Sequence, residues 1–85
     1  MPEITIYTTR SCPFCHAAKH LLQRKGAAFK EIDVSSNAAT RAEMTRKAGG
    51  RHTVPQIWIG AEHVGGCDDL HELERAGRLD PLLAR

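Results

Sequence analysis

The 85-residue sequence contains no apolar run long enough to span a bilayer. Its N-terminus, Met1-Pro2-Glu3-Ile4, lacks the basic stretch and apolar segment of a secretory signal. A membrane role is not expected, and the reading is cytoplasmic. Aromatic residues are scarce: one Trp, one Tyr and two Phe. No cluster of Arg or Lys alternates with them, so nucleic acid is not an expected partner. Charge of one sign is also lacking. The net charge of +2, with acids and bases interspersed, permits attraction to small anions and little more. Cysteine is sparse as well. Three residues, an odd number, do not make a structural disulfide framework. In a reducing compartment, paired cysteines serve redox chemistry, sensing or metal binding.

What remains is ordinary globular composition, 41% hydrophobic and 26% charged. The length suits one domain over residues 1–85, expected as a monomer. Short elements alternate along it. The β-branched run Glu3–Thr8 predicts a strand. Pro13–Lys25 predicts a helix with Ala18, Leu21 and Leu22 on one stripe, stopped by Gly26. Phe29–Val34 predicts a second strand. Ser35, Ser36 and Asn37 are cap candidates for a helix over 38–48, ended by Gly49-Gly50.

Val54–Ile59 predicts a third strand, turning at 60–62 into a fourth strand at His63-Val64. Gly65-Gly66 breaks the hairpin. Asp68–Ala76 predicts a third helix with acids at its positive end, and Asp80-Pro81 can cap and start a last turn through Leu83. The order β-α-β-α-β-β-α is α/β. It implies a mixed four-stranded sheet flanked by helices, with a right-handed parallel crossover at its start.

The strongest chemical signal is Cys12-Pro13-Phe14-Cys15, between a strand and a helix. Proline suits the first helical position, which puts Cys12 at the N-cap. The N–H groups of Phe14 and Cys15 then face its sulfur and, with the helix dipole, stabilise the thiolate that attacks disulfides. Cys15, one turn deeper, is placed to resolve the mixed disulfide. Two buried structural thiols would not need this spacing or this position. A haem-attachment reading of Cys12-Pro13-Phe14-Cys15-His16 requires export. A zinc site would need a second close ligand pair, and Cys67 with His63 or His71 does not supply one.

These residues, together with Thr53-Val54-Pro55 and Gly65-Gly66-Cys67-Asp68-Asp69, resemble in order and spacing the short bacterial dithiol glutaredoxins over essentially the whole chain. The resemblance implies a thioredoxin-like fold and a glutathione-dependent disulfide oxidoreductase, with catalytic Cys12 and Cys15. It implies that Pro55 follows a cis bond and that the Val54 backbone pairs with glutathione. It also implies that the Cys67 and Asp68 N–H groups take the γ-glutamyl carboxylate and that the Asp68 side chain takes the amine. Thr53, Pro55 and Gly66 complete the expected site. Taken alone, Thr53–Pro55 also reads as an edge-strand start, and Gly65–Asp69 as a turn before a charged helix end. Glutathione is expected as co-substrate with no tightly bound cofactor and no metal. The partners are disulfide-containing or glutathionylated proteins.

Two departures stand out. Phe14 occupies a position where many members carry Tyr, and Thr9 one where many carry Lys. Arg10 is the candidate replacement cation, and Arg41 and Arg51 could reach a glutathione carboxylate. Trp58 reads as core, and the remaining histidines as surface or satisfied polar groups. Two other functions fit parts of the pattern: an electron donor served by a flavoprotein reductase, and a metal or cluster carrier using Cys12.

Overall fold

The computed structural model describes residues 2–85. The elements in chain order are β1 (Ile4–Thr8), α1 (Pro13–Arg24), β2 (Lys30–Asp33), α2 (Ala38–Lys47), β3 (Gln56–Ile59), β4 (Glu62–Gly65), α3 (Cys67–Arg75) and α4 (Leu79–Leu83). The sheet runs β2-β1-β3-β4. β1 and β2 are parallel, while β1–β3 and β3–β4 are antiparallel. This is the mixed four-stranded arrangement expected from the pattern, with α4 a full short helix after α3.

Strand alternation divides the core in two. Ile4 and Ile6 of β1 and Ile57 and Ile59 of β3 face α1, α3 and α4, where Leu22, Leu70 and Leu79 are fully buried. The opposite face is smaller. Tyr7, Val34 and Met44 are buried there, with Ile32, Val54 and Trp58 packed against them. Trp58, expected in the core, is half-buried at the edge of this second cluster, edge-on to Tyr7 at 5.4 Å.

Helix boundaries follow local chemistry. α1 has Cys12 at its N-cap and Pro13 at its start, and it ends before Gly26 at φ +68°. Among the three cap candidates for α2, Asn37 is used: its Oδ1 accepts the Thr40 N–H at 3.0 Å. β3 begins at Gln56, two residues later than the sequence predicts. Pro55 has no N–H to give to a ladder, and the Val54–Pro55 bond is cis. Asp80 does not cap α4, whose N-cap is Arg78. It binds Lys25 Nζ at 3.0 Å instead, and Lys25 also holds Glu74 at 2.7 Å. One lysine at the end of α1 thereby meets both C-terminal helices.

The β4–α3 junction is the tightest point near the expected site. α3 starts one residue early, at Cys67, with Gly66 as its N-cap. Asp69 Oδ2 accepts the Gly66 N–H at 2.9 Å and the Arg51 guanidinium at 3.1 Å. Gly65 has φ +113°, and a Cβ there would strike the Asp69 carboxylate and lie 2.7 Å from Arg51 Nη1. The backbone strain disfavours any side chain there, and a Cβ would also force the Asp69 carboxylate and the flexible end of Arg51 to move. Gly65→Ala should lower unfolding stability by about 1–3 kcal/mol, read as a reduced urea midpoint at an unchanged slope. An unaltered midpoint would mean that this junction tolerates rearrangement.

Candidate active site

The end of β1 and the start of α1 deliver Cys12 in an extended conformation, φ −111° and ψ 103°. Its Sγ accepts the Cys15 N–H at 3.1 Å, as an N-cap oxygen would. The thiol points to the Val54 carbonyl, 3.6 Å away across the chain. Cys12 is 8% exposed and Cys15 0%. All three cysteines are free. Burial first, then the hydrogen bond with Cys12, pushes the Cys15 thiol up to about 12. The pair is thus chemically unequal: one sulfur is held at a helix start with an opening to solvent, and the other is sealed beneath it.

Beside this pair lies a cleft of about 170 Å³. One wall is Thr53, Val54 and Pro55, and the other is Gly66, Cys67 and Asp68, with Phe14 between. With Arg51, which also lines it, eight of the residues expected from the sequence to contact a ligand therefore share one space. Phe14 is 62% exposed, the one large hydrophobic side chain so placed among the described residues. One further residue lines the cleft, Asp69. Asp69 reads in sequence only as a helix-start acid. The Gly66 N–H, and next the Arg51 guanidinium, hold its carboxyl below the usual range.

Arg10 lies outside this lining. Its backbone N–H donates to Ser35 Oγ at 2.9 Å, and its charge helps to keep Asp33 below the usual carboxylate range after the Ser35 hydrogen bonds. Arg41 donates to the His52 carbonyl at 3.0 Å, tying α2 to the loop that leads into Thr53. Gln56 is fully buried beneath that loop. Cys67 is 8% exposed, its Sγ 3.4 Å from His71 Nδ1. Burial, then Asp68 and Cys12, push its thiol up. Among the described residues no three His, Cys, Asp or Glu side chains gather as metal ligands would.

An anion can be held by such an arrangement. The start of α3 presents backbone N–H groups to the cleft, and the thiol opposite can attack a sulfur brought to it. Comparisons with known proteins bear on the family. Residues 4–64 match the family model described as glutaredoxin. A glutaredoxin of Pseudomonas aeruginosa is 63% identical over 84 residues, covering 99% of each chain. Glutaredoxin 3 of Escherichia coli is 54% identical over 83 residues, 98% of this chain and 99% of that one. The glutaredoxin of Brucella melitensis superposes with a TM-score of 0.87 at 57% identity, over 98% of this chain and 89% of that one. A buckwheat glutaredoxin–glutathione complex gives 0.88 at 31% identity, over 95% and 76%. Likeness of this extent, in sequence and in backbone, leaves one assignment: the chain belongs to the glutaredoxin family of thiol–disulfide oxidoreductases.

Proposed function

We propose that residues 1–85 act as one glutathione-dependent domain, with Cys12 as nucleophile and Cys15 as resolving thiol. The observation that carries this reading is the Cys12 sulfur, bound by the Cys15 N–H and facing the Val54 carbonyl beside the cleft. The buckwheat relative, solved as a glutathione complex, supports the choice of ligand. Val54 pairs with the glutathione backbone as a strand would. Thr53 and Pro55 shape that wall. Gly66 permits close approach, since its Cβ position is 3.4 Å from the Pro55 carbonyl. The Cys67 and Asp68 N–H groups bind the γ-glutamyl carboxylate, Asp68 binds the amine, and Phe14 covers the rim. Arg10, outside the cleft, contributes charge rather than contact. The expected setting is a reducing cytoplasm and the expected state a monomer.

In the first step the Cys12 thiolate attacks the glutathione sulfur of a mixed disulfide. A Cys12–glutathione bond forms, the old S–S bond breaks, and the target sulfur leaves and takes up a proton. A second glutathione thiolate attacks the glutathione sulfur on Cys12, releasing glutathione disulfide and restoring Cys12. With a protein disulfide, Cys15 instead attacks Cys12 and expels the reduced target. Two glutathiones then reduce the Cys12–Cys15 bond and leave as their disulfide.

Steady-state turnover of a glutathionylated peptide should be abolished in Cys12→Ser and retained in Cys15→Ser, while reduction of a protein disulfide should need both. Wild type inert with glutathione but reduced by a flavoprotein reductase would contradict the proposal.

A second expectation concerns pH. The folded Cys15 ionises near 12 against 9.0 for an ordinary thiol. Its contribution to stability is complete below pH 9.0 and is lost as pH rises toward about 12. Urea unfolding of the reduced protein should weaken across that window, and Cys15→Ser should flatten the loss. Iodoacetamide at neutral pH should label Cys12 before Cys15, and equal labelling would contradict the buried, protonated state of Cys15.

A further inference from the structure

Gln56 is one of two fully buried polar side chains among the described residues, the other being Thr8. It sits directly after Pro55, on the sheet face that carries Tyr7 and Trp58. Its Nε2 donates to the Thr53 carbonyl at 3.0 Å and lies 3.3 Å from Thr53 Oγ1. Its Oε1 lies 2.8 Å from His63 Nε2 on β4. The chemistry allows only one orientation. A carbonyl oxygen accepts and never donates, so the amide nitrogen must face Thr53 and the amide oxygen must face His63. His63 therefore carries its hydrogen on Nε2 and donates it. Burial, and next the Arg51 guanidinium, hold His63 below the usual imidazole range. The ring is further fixed by stacking on Trp58, centroids 4.6 Å apart and 27° between planes.

A chain of contacts thus runs from Trp58 through His63 and Gln56 to the Thr53 carbonyl. The next carbonyl, that of Val54, faces Cys12. Val54 packs against the Tyr7, Val34 and Met44 cluster and Pro55 is buried, whereas Thr53 is exposed, so the Gln56 amide is what holds the Thr53 end of this wall. We infer that Gln56, locked by His63, is a positioning residue for disulfide exchange, setting the Thr53–Val54 backbone at the height and angle at which glutathione pairs with it. The inference rests on the glutathione reading of the cleft. Cys12 owes its reactivity to the start of α1, which Gln56 does not touch. Preference for a glutathione-bearing sulfur is owed to the Val54 wall, which Gln56 holds.

The test measures three second-order rates on the reduced protein: with a glutathionylated peptide, with the same peptide capped by cysteamine, and with iodoacetamide. Gln56→Leu removes the hydrogen bonds to Thr53 and to His63 at similar volume. It should slow the glutathionylated peptide about tenfold, with the other two rates within about twofold of wild type. His63→Leu, which strips the partner from Gln56 Oε1, should lose selectivity in the same direction. His63→Gln, which keeps an N–H donor, should restore it. A residue that only stabilised the fold would lower the melting temperature and leave selectivity alone. If Gln56→Leu does not fold, His63→Leu decides. Retained selectivity in a folded variant, or a parallel fall of all three rates, overturns the inference. A wild type without any preference for glutathione overturns the glutathione reading and this inference together, whereas a wild-type preference that survives both leucine variants overturns the inference alone.

Discussion

The sulfur of Cys12 stands where a helix would otherwise place the oxygen of a Ser or Asp cap. Nearly every other feature of the site follows from that substitution. The start of an α-helix has N–H groups without intrahelical partners, and these favour negative charge nearby. Filling the cap with a thiol puts the sulfur at this unsatisfied end, where it accepts the Cys15 N–H. Proline at the next position strengthens the arrangement, because it starts the helix without adding a donor that would need a partner. The same helix turn carries Cys15 into the core, where burial keeps it protonated. One turn of backbone therefore makes two chemically identical side chains unequal.

A reactive sulfur alone does not select a substrate, and the walls beside it are built by different means. The Thr53–Pro55 wall is an irregular segment held from below by Gln56 and from the side by the Arg41 bond to the His52 carbonyl. The Gly66–Asp68 wall is a helix start held by Asp69. Arg51 joins the two through Asp69. That ion pair is half-exposed on both sides, and pairs of this kind contribute little to stability. It bridges the loop before Thr53 and the start of α3, and both residues line the cleft. The positive φ at Gly65 is what lets the chain pass beneath this pair.

Much of this was legible before the fold was known, for reasons that can be stated. Ala18, Leu21 and Leu22 recur at helical spacing because one side of α1 is buried, and Gly26 marks its end because no other residue adopts that φ freely. The Cys12-Pro13-Phe14-Cys15 run reveals its own geometry, since proline and cap position are local properties. Tertiary effects were not legible. Asp80 reads as a cap, yet Lys25, distant in sequence, takes it. Gln56 alternates onto a sheet face, but nothing local shows that its amide lies beneath Thr53 or that His63 locks it. Asp69 reads as a helix-start charge, and only the fold brings Arg51 to it. The apolar pattern of the third strand runs back through Pro55 to Val54, but ladder bonding starts only at Gln56 because proline has no N–H to give.

The central claim is that glutathione attached to Cys12 lies between the Val54 backbone and the start of α3. Amide chemical shifts of Cys15→Ser, before and after Cys12 is joined to glutathione, test it most directly. The expected result is that, beyond the immediate neighbours of Cys12, the largest changes fall on the amides of Val54, Cys67 and Asp68. Changes centred instead on Arg10 and Ser35, with the Val54 and Asp68 amides unmoved, would contradict it.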